Sequence, residues 1–340
     1  MRTRVANRSS IGVVVIGRNE GARLHRCLRC LTGQVRSIVY VDSGSTDGSQ
    51  VVAQSLGVEV LALDPSRVFT AARARNAGFA RLLAHVPELA YVQFIDGDCE
   101  MAPGWLERAA LALDEHSEVA IVCGRRRERY PNASRYNLLC DMEWNTPIGE
   151  AGACGGDALI RRDAFERVGG FNATMIAGEE PELCVRIRKH GWKILRINAE
   201  MTIHDAAMTE LSQWWRRAKR AGHAYAEGAF LHGAGPWRHN VSQLRSIVVW
   251  GLAIPILAVF GSLLATTTTA ASASIGSGFA MYGILLVRVY RHRRACGDTH
   301  RPALVYAAYT VLGKLPMLAG AFSFWTALAC GKHNTLIEYK

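Results

Sequence analysis

From Ser246 to Val287 the chain has no Asp, Glu, Lys, Arg or His, an uncharged run of 42 residues in a sequence of 340. A bilayer core takes about 20 apolar residues per helical span. The run therefore predicts two spans, roughly 246 to 265 and 271 to 290, joined by the weakly polar "TTTTAASA". A soluble hairpin would show polar residues at helical spacing on an outer face, and this stretch shows none. No secretory leader is expected either: Met1 to Ser10 is polar and basic, and the "IGVVVI" that follows is too short for a signal core. The expectation is an N-terminal domain held in the cytoplasm, at the inner membrane. The arginines of "RVYRHRRACGDTHR", 288 to 301, give the same orientation by the positive-inside rule, because a two-span hairpin leaves both flanks on one side.

No second CxxC and no nearby His pair accompany Cys27-x-x-Cys30, so a zinc site is not indicated. The nine cysteines suit a reducing compartment, with Cys27 and Cys30 packed as small apolar groups on a helix. In such a compartment the sequons at Asn132, Asn172 and Asn240 are chance matches. Disorder is excluded by 49% hydrophobic residues, and a formal charge of +11 calls for an anionic partner.

Apolar runs at 11 to 16, 37 to 41, 58 to 63, 91 to 95 and 118 to 123 alternate with helical patterns at 20 to 32, 47 to 56, 69 to 85 and 103 to 115. This βαβα order predicts an α/β domain on a mostly parallel sheet, with ligands beyond the carboxyl ends of the strands. The strand exits read "GRNE", "DSGSTD" and "DGDCE", and "RARNAG" precedes the third. A dinucleotide fold would need GxGxxG after the first strand, and "GRNEGA" does not supply it. Carboxylates, glycines and arginines at one crevice instead suit a nucleotide bound through a divalent metal. Acidic exits would repel nucleic-acid phosphates, so nucleic acid is not the expected partner. The "RRRER" run at 125 to 129 reads first as a solvated face. "GKLP" at 313 to 316 would put a lysine and a proline mid-span, so residues 303 to 330 read as re-entrant or interfacial.

Taken in order, "VVVIGRNE", "VDSGSTDG", "ARNAG", "DGD", "RRDAFERVGGF" and "GEEPEL" followed by Arg186 resemble a family 2 glycosyltransferase of the GT-A fold. The resemblance covers roughly residues 10 to 230. The hydrophobic tail ending in "LIEYK" is similar to that of membrane-associated members that build bacterial exopolysaccharide or other surface glycans. It implies residues 1–240 as the GT-A domain, 241–302 as a transmembrane hairpin with a basic flank, and 303–340 as an amphipathic tail.

The resemblance further implies an inverting, metal-dependent transfer of sugar from a nucleoside-diphosphate sugar to a lipid-linked or growing glycan. Gly17, Arg18, Asn19, Glu20, Asp42 and Ser43 match positions that hold base and ribose, Ser43 standing where the family commonly has a second Asp. Asp47 caps the next helix. Arg75 and Asn76 match donor contacts. Gly155, Gly156 and Asp157 match the sugar pocket. Asp98, with Asp96 as ribose or metal partner and His204 as a further ligand, would hold Mg2+ or Mn2+. Glu180 matches the catalytic base, in a position that is typically Asp, with Glu179 next and Glu182 paired to Arg186. Trp214, Trp215, Arg216 and Arg217 suit either an acceptor and pyrophosphate platform or a helix at the membrane interface.

Three alternatives share parts of this pattern. Transfer directly to polyprenyl phosphate would need the base less. A sugar-nucleotide nucleotidyltransferase would need a Gly-rich, basic triphosphate loop after the first strand, which "GRNEGA" lacks. A non-catalytic sugar-nucleotide-binding membrane protein would have lost the acids of DGD or GEEPEL, and both are present.

Overall fold

A computed structural model describes residues 10–331. The "LIEYK" motif and nearly all of the basic N-terminus lie outside the described residues. The chain divides into two compact units, residues 1–132 with 140–207 and residues 133–139 with 208–340.

The first unit begins with the expected alternation. Its elements are β1 (Ile11–Gly17), α1 (Ala22–Leu31), β2 (Ser37–Asp42), α2 (Ser49–Ser55), β3 (Glu59–Ala62), α3 (Ala71–His85) and β4 (Tyr91–Asp96). Strands β1 to β4 are parallel neighbours in the order β3-β2-β1-β4. Their continuous apolar runs are buried on both faces by the crossover helices, with Val13, Val14, Val15, Val39, Val41 and Ile95 fully inaccessible. Register pairs Gly17 with Asp42 and Ile16 with Asp96, so the three strand exits meet along one edge.

Beyond β4 the sheet is mixed. The chain continues through β5 (Cys99–Met101), α4 (Trp105–Glu115), β6 (Val119–Glu128), α5 (Arg135–Glu143), β7 (Gly149–Glu150), β8 (Ala158–Arg161), α6 (Arg162–Arg167), α7 (Glu179–Lys189) and β9 (Lys193–His204). The full order is β3-β2-β1-β4-β8-β6-β9-β5, with β7 on β9. Strand β8 is antiparallel to both β4 and β6, and β5 and β7 are antiparallel to β9. The mostly parallel expectation thus holds throughout the first half, whereas in the second only β6 and β9 are parallel and β5, β7 and β8 run antiparallel to their neighbours. Cys27 is buried and Cys30 half-buried on α1, and all nine cysteines are free thiols.

The second unit is helical: α8 (Leu211–His232), α9 (Val241–Val248), α10 (Ile254–Leu263), α11 (Thr268–Ala295), α12 (His300–Leu312) and α13 (Lys314–Ala329). A π-helical turn at Val249–Ala253 joins α9 to α10, and Tyr282 donates to the Trp250 carbonyl there. Among the described residues three stretches are long and apolar enough to cross a membrane: Val241–Leu263, Thr268–Ala295 and His300–Ala329, with mean hydropathy 2.2, 1.5 and 1.3. The first two correspond to the uncharged run. Its break is shorter than "TTTTAASA", because Thr267 Oγ1 accepts from Ala270 N at 3.2 Å and starts α11 early. The third stretch meets the same length and composition measure despite "GKLP": Lys314 Nζ donates to Ser246 Oγ at 3.0 Å, which satisfies the mid-helix ammonium. Glycines let α13 press on α8. A Cβ at Gly222 would collide with the Met317 carbonyl, and one at Gly320 with the Lys219 carbonyl.

Candidate active site

The first strand exit is folded onto the second by short polar bonds. Asn19 takes a left-handed backbone, φ 55°, which Asn tolerates. Its N–H donates to Ser45 Oγ at 2.9 Å, and its Oδ1 accepts from Thr46 N at 2.7 Å. Ser43 N donates to the Gly17 carbonyl at 3.1 Å. Glu20 pairs with Arg23 at 2.8 Å, and Arg18 lies 5.9 Å from the Phe69 ring centre. Asp47 accepts from Ser49 N at 3.0 Å at the start of α2, and also from Gly21 N at 2.9 Å, so it ties both loops together.

Asp42 is wholly buried. It accepts from Tyr40 Oη at 2.9 Å, Gly44 N at 3.0 Å, Ser45 N at 2.9 Å and Gln50 Nε2 at 2.8 Å. Burial alone would raise its pKa, but donors from Ser45, Gln50 and Tyr40 outweigh it and keep the carboxyl below its ordinary value. In this conformation Asp42 organises the loop rather than presenting an oxygen to solvent.

Arg75, on α3 and 2% exposed, is the hub of the second cluster. It reaches Asp96 Oδ1 at 2.9 Å, Glu179 Oε1 at 2.7 Å and Glu180 Oε1 at 3.1 Å. Burial disfavours its charge, and the carboxylates of Glu180, Asp96 and Glu179 more than restore it, raising its pKa. Arg126 approaches Asp96 from β6 at 3.3 Å and Asp157 at 3.6 Å. Asp157, fully buried, accepts from Asp96 N at 3.1 Å and Thr202 Oγ1 at 2.6 Å, so it fixes the backbone of the DGD turn. Gly156 sits where these charges converge. A Cβ there would lie 2.9 Å from Asp96 Oδ2, 3.0 Å from Arg75 Nη2 and 3.2 Å from Glu180 Oε1, whereas a Cβ on Gly155 would meet nothing within 4 Å.

Helix α7 starts at Glu179 after Gly178, whose φ of 79° ends the preceding loop. Adjacent residues on a helix point about 100° apart, and the two glutamates differ accordingly. Glu179 is buried against Arg75, while Glu180 is half-buried with its side chain 17% exposed. Burial, then the Glu179 charge, push the Glu180 carboxyl up to about 7. Glu182 is held by Arg186 at 2.7 Å, the expected i,i+4 pair.

His204 ends β9 between two strands. Register places it opposite Cys99 on β5 and Glu128 on β6. Its Nε2 lies 3.1 Å from Asp98 Oδ2, and its Nδ1 lies 3.2 Å from Glu128 Oε2. Burial, then Arg126, lower its pKa, favouring the neutral ring that a metal requires. Asp98, Cys99 and His204 offer ligand atoms within 4.8 Å of one another. A carboxylate oxygen beside an imidazole nitrogen, with a second carboxylate on the other ring nitrogen, is a donor set that fits a divalent cation. Trp144 closes this side, edge-on to His204 with ring centres 4.7 Å apart and 4.8 Å from the Arg126 guanidinium.

Two expectations are corrected here, and a third in the second unit. Asn76 is not free to contact a donor: its Nδ2 donates to the Phe171 carbonyl at 2.7 Å and its Oδ1 accepts from Phe171 N at 2.9 Å. The "RRRER" run is not a solvated face. Arg125 is buried on Asp141, and register shifts on either side of Arg125 turn Arg126 and Glu128 toward the cluster, while Arg127 stays outside on Glu200. Trp214 is core, not platform. It is buried on α8 and packs edge-on to Tyr309 with centres 4.8 Å apart, leaving Trp215 and Arg216 of that group exposed and Arg217 half-buried.

Arg126, Glu128 and Trp144 were missed as site residues from the sequence. Five charged residues in succession carry no alternation that singles out the first two.

A parallel α/β half-sheet with its strand exits gathered at one edge, extended by a mixed half that returns a histidine to the DGD turn, defines a GT-A-like domain. Residues 12–169 match the family "Glycosyl transferase family 2", and the chain carries a domain of that family. It is 26% identical over 211 residues to Glycosyltransferase AglE of Haloferax volcanii, covering 58% of this chain and 67% of the relative. It is 24% identical over 220 residues to the O-antigen chain rhamnosyltransferase WbaN of Salmonella anatum, covering 61% and 65%. About a third of each relative's length is thus unmatched. Among solved structures, the mannosyltransferase PcManGT from Pyrobaculum calidifontis, in complex with GDP-Man and Mn2+, has the same fold. The TM-score is 0.58 at 18% identity, over 93% of this chain and 87% of that one.

Proposed function

We infer that the protein is a membrane-anchored enzyme that transfers a sugar, with inversion, from a nucleoside-diphosphate sugar to a hydroxyl of a lipid-linked or growing glycan. The observation that carries this reading is the convergence of Asp96, Arg75 and Glu180 on Gly156, with Asp98 of the same DGD turn paired to His204. Similarity to an O-antigen chain rhamnosyltransferase and to a fold seen with GDP-Man and Mn2+ supports the donor class and a surface-glycan product.

Asp98 and His204 would hold the divalent cation, with Asp96 facing the ribose or the metal, and Glu128 fixing the tautomer and orientation of His204. A bound Mg2+ or Mn2+ would supply positive charge to the departing diphosphate. Arg126 adds a cation at the same edge. Glycines 155 and 156 leave room for the sugar, and the loop ordered by Asp42 and Asn19 forms the wall on the nucleotide side. The acceptor oxygen attacks the anomeric carbon as the bond to the diphosphate oxygen breaks. Its proton passes to Glu180, and the electron pair leaves with the nucleoside diphosphate. A carboxylate tuned to about 7 suits a hydroxyl acceptor, since a phosphate acceptor is already an anion and needs no base.

The α10–α11 hairpin is the proposed anchor, with the catalytic unit on the cytoplasmic side. Residues 303–330 are proposed as interfacial or re-entrant, since α13 packs on α8, a helix carrying Arg216, Arg217, Lys219 and Arg220. The test of the activity is transfer of radiolabel from a panel of nucleotide sugars into a membrane lipid extract. Label should enter the lipid phase from one sugar class in a Mn2+-dependent manner. Absence of transfer from every nucleotide sugar would overturn the reading.

A further inference from the structure

The arginines that end α11 are used in two different ways. Arg293 is ion-paired with Asp298 at 2.5 Å and lies 4.5 Å from the Tyr306 ring centre, and Arg294 donates to the Asp298 carbonyl at 2.8 Å. These two close the end of the helix. Arg288 and Arg291 are exposed, stand one turn apart on one face, and make no hydrogen bond or ion pair among the described residues.

They bound a groove of about 530 Å³, lined otherwise by Ala280, Gly283, Ile284 and Val287. The recess exists because Ala280 and Gly283 are small, and a Cβ on Gly283 would meet nothing within 4 Å. From 280 to 291 the groove follows the helix for roughly 16 Å at about 1.5 Å per residue, about half of a hydrocarbon core of ~30 Å. One leaflet of acyl chain has that length.

An occupant must therefore be apolar along its length and anionic at one end. A water-soluble anion has no use for the apolar floor. A second copy docked by the same face would set two pairs of guanidiniums against each other. A zwitterionic lipid brings its own cation to the arginines. We propose that this groove binds an anionic glycerophospholipid of the surrounding leaflet, its phosphate between Arg288 and Arg291 and one acyl chain along Ala280, Gly283, Ile284 and Val287. The site rests on the membrane insertion proposed above and is separate from the sugar-transfer centre in the first unit.

The experiment is native mass spectrometry of the full chain, released from nanodiscs of equal phosphatidylglycerol and phosphatidylcholine. The wild type should retain one phosphatidylglycerol with roughly thirtyfold preference, the scale of two basic side chains at about 1 kcal/mol each. Arg288→Gln with Arg291→Gln should abolish the preference. Gly283→Leu, which fills the groove without a steric clash at Cβ and leaves both arginines, should abolish retention. Equal retention of the two lipids by the wild type, or unchanged preference in either variant, overturns the proposal. So does displacement of phosphatidylglycerol by an equimolar polyprenyl phosphate, which would make the site one for an isoprenoid carrier. A carbonate wash separates the two readings. Wild type that leaves the membrane sinks insertion and lipid site together, whereas wild type that stays embedded but retains no phosphatidylglycerol sinks the lipid site alone.

Discussion

Arg75 Nη1 lies 3.1 Å from Glu180 Oε1, so the carboxylate proposed as base is held by a guanidinium that also grips Asp96 at the end of β4. The contact sets the direction of the proton-acceptor side chain. It also partly offsets the cost of placing Glu180 beside Glu179, yet burial and that neighbour still keep its pKa near 7.

The first prediction follows from that carboxyl. The base must be ionised, and its folded-state pKa is raised, so it loses its proton only as pH passes about 7. The kcat/KM should therefore climb tenfold per pH unit below about 7 and level off above it. Glu180→Gln should lower kcat by roughly 10²–10⁴-fold and remove the acid limb, while donor affinity, read by calorimetry, stays within a few fold. Near-native turnover in Glu180→Gln together with a dead Glu179→Gln would transfer the role to Glu179.

A second concerns the cation. Mn2+ binding followed by electron paramagnetic resonance should be lost in Asp98→Asn and His204→Ala. In Glu128→Gln it should weaken by about 10–100-fold, because that carboxylate orients the ring without touching the metal. Equal Mn2+ affinity in wild type and Asp98→Asn would remove the metal assignment.

The two glycines of the pocket should separate cleanly. Gly156→Ala puts a methyl 2.9 Å from Asp96 Oδ2 and should cost about 1–3 kcal/mol by overpacking, seen as a lower melting temperature with a large loss of activity. Gly155→Ala meets nothing within 4 Å and should melt like wild type. Indistinguishable melting of the two variants would mean that the three charges do not converge as described.

The last concerns topology. With a two-span hairpin and an interfacial tail, a reporter fused after Lys340 should read the same side as one fused before Met1. Opposite readings would make His300–Ala329 a third full span, a role for which it has the length and composition.

The sequence alone determined those features that depend on local order. Strand and helix alternation through Asp96 follows from apolar runs of strand length, the α10–α11 helix pair follows from a 42-residue charge-free run divided by threonines, and the DGD and GEEPEL acids stand out by residue type. The i,i+4 pairing of Glu182 with Arg186 needed only helix geometry.

Tertiary structure decided what each polar group faces. No local rule reveals that Asn76 is taken by the Phe171 backbone 95 residues away, or that Asp42 spends its oxygens on its own loop. The basic run looked solvated because five charged residues in succession have no apolar neighbour to bury them. A register shift on β6 and pairing with β9 instead gave Glu128 a histidine and Arg126 two carboxylates. Pairings of this kind join residues up to 76 positions apart, as His204 with Glu128, and are fixed by strand register and burial, which act only once the sheet has formed.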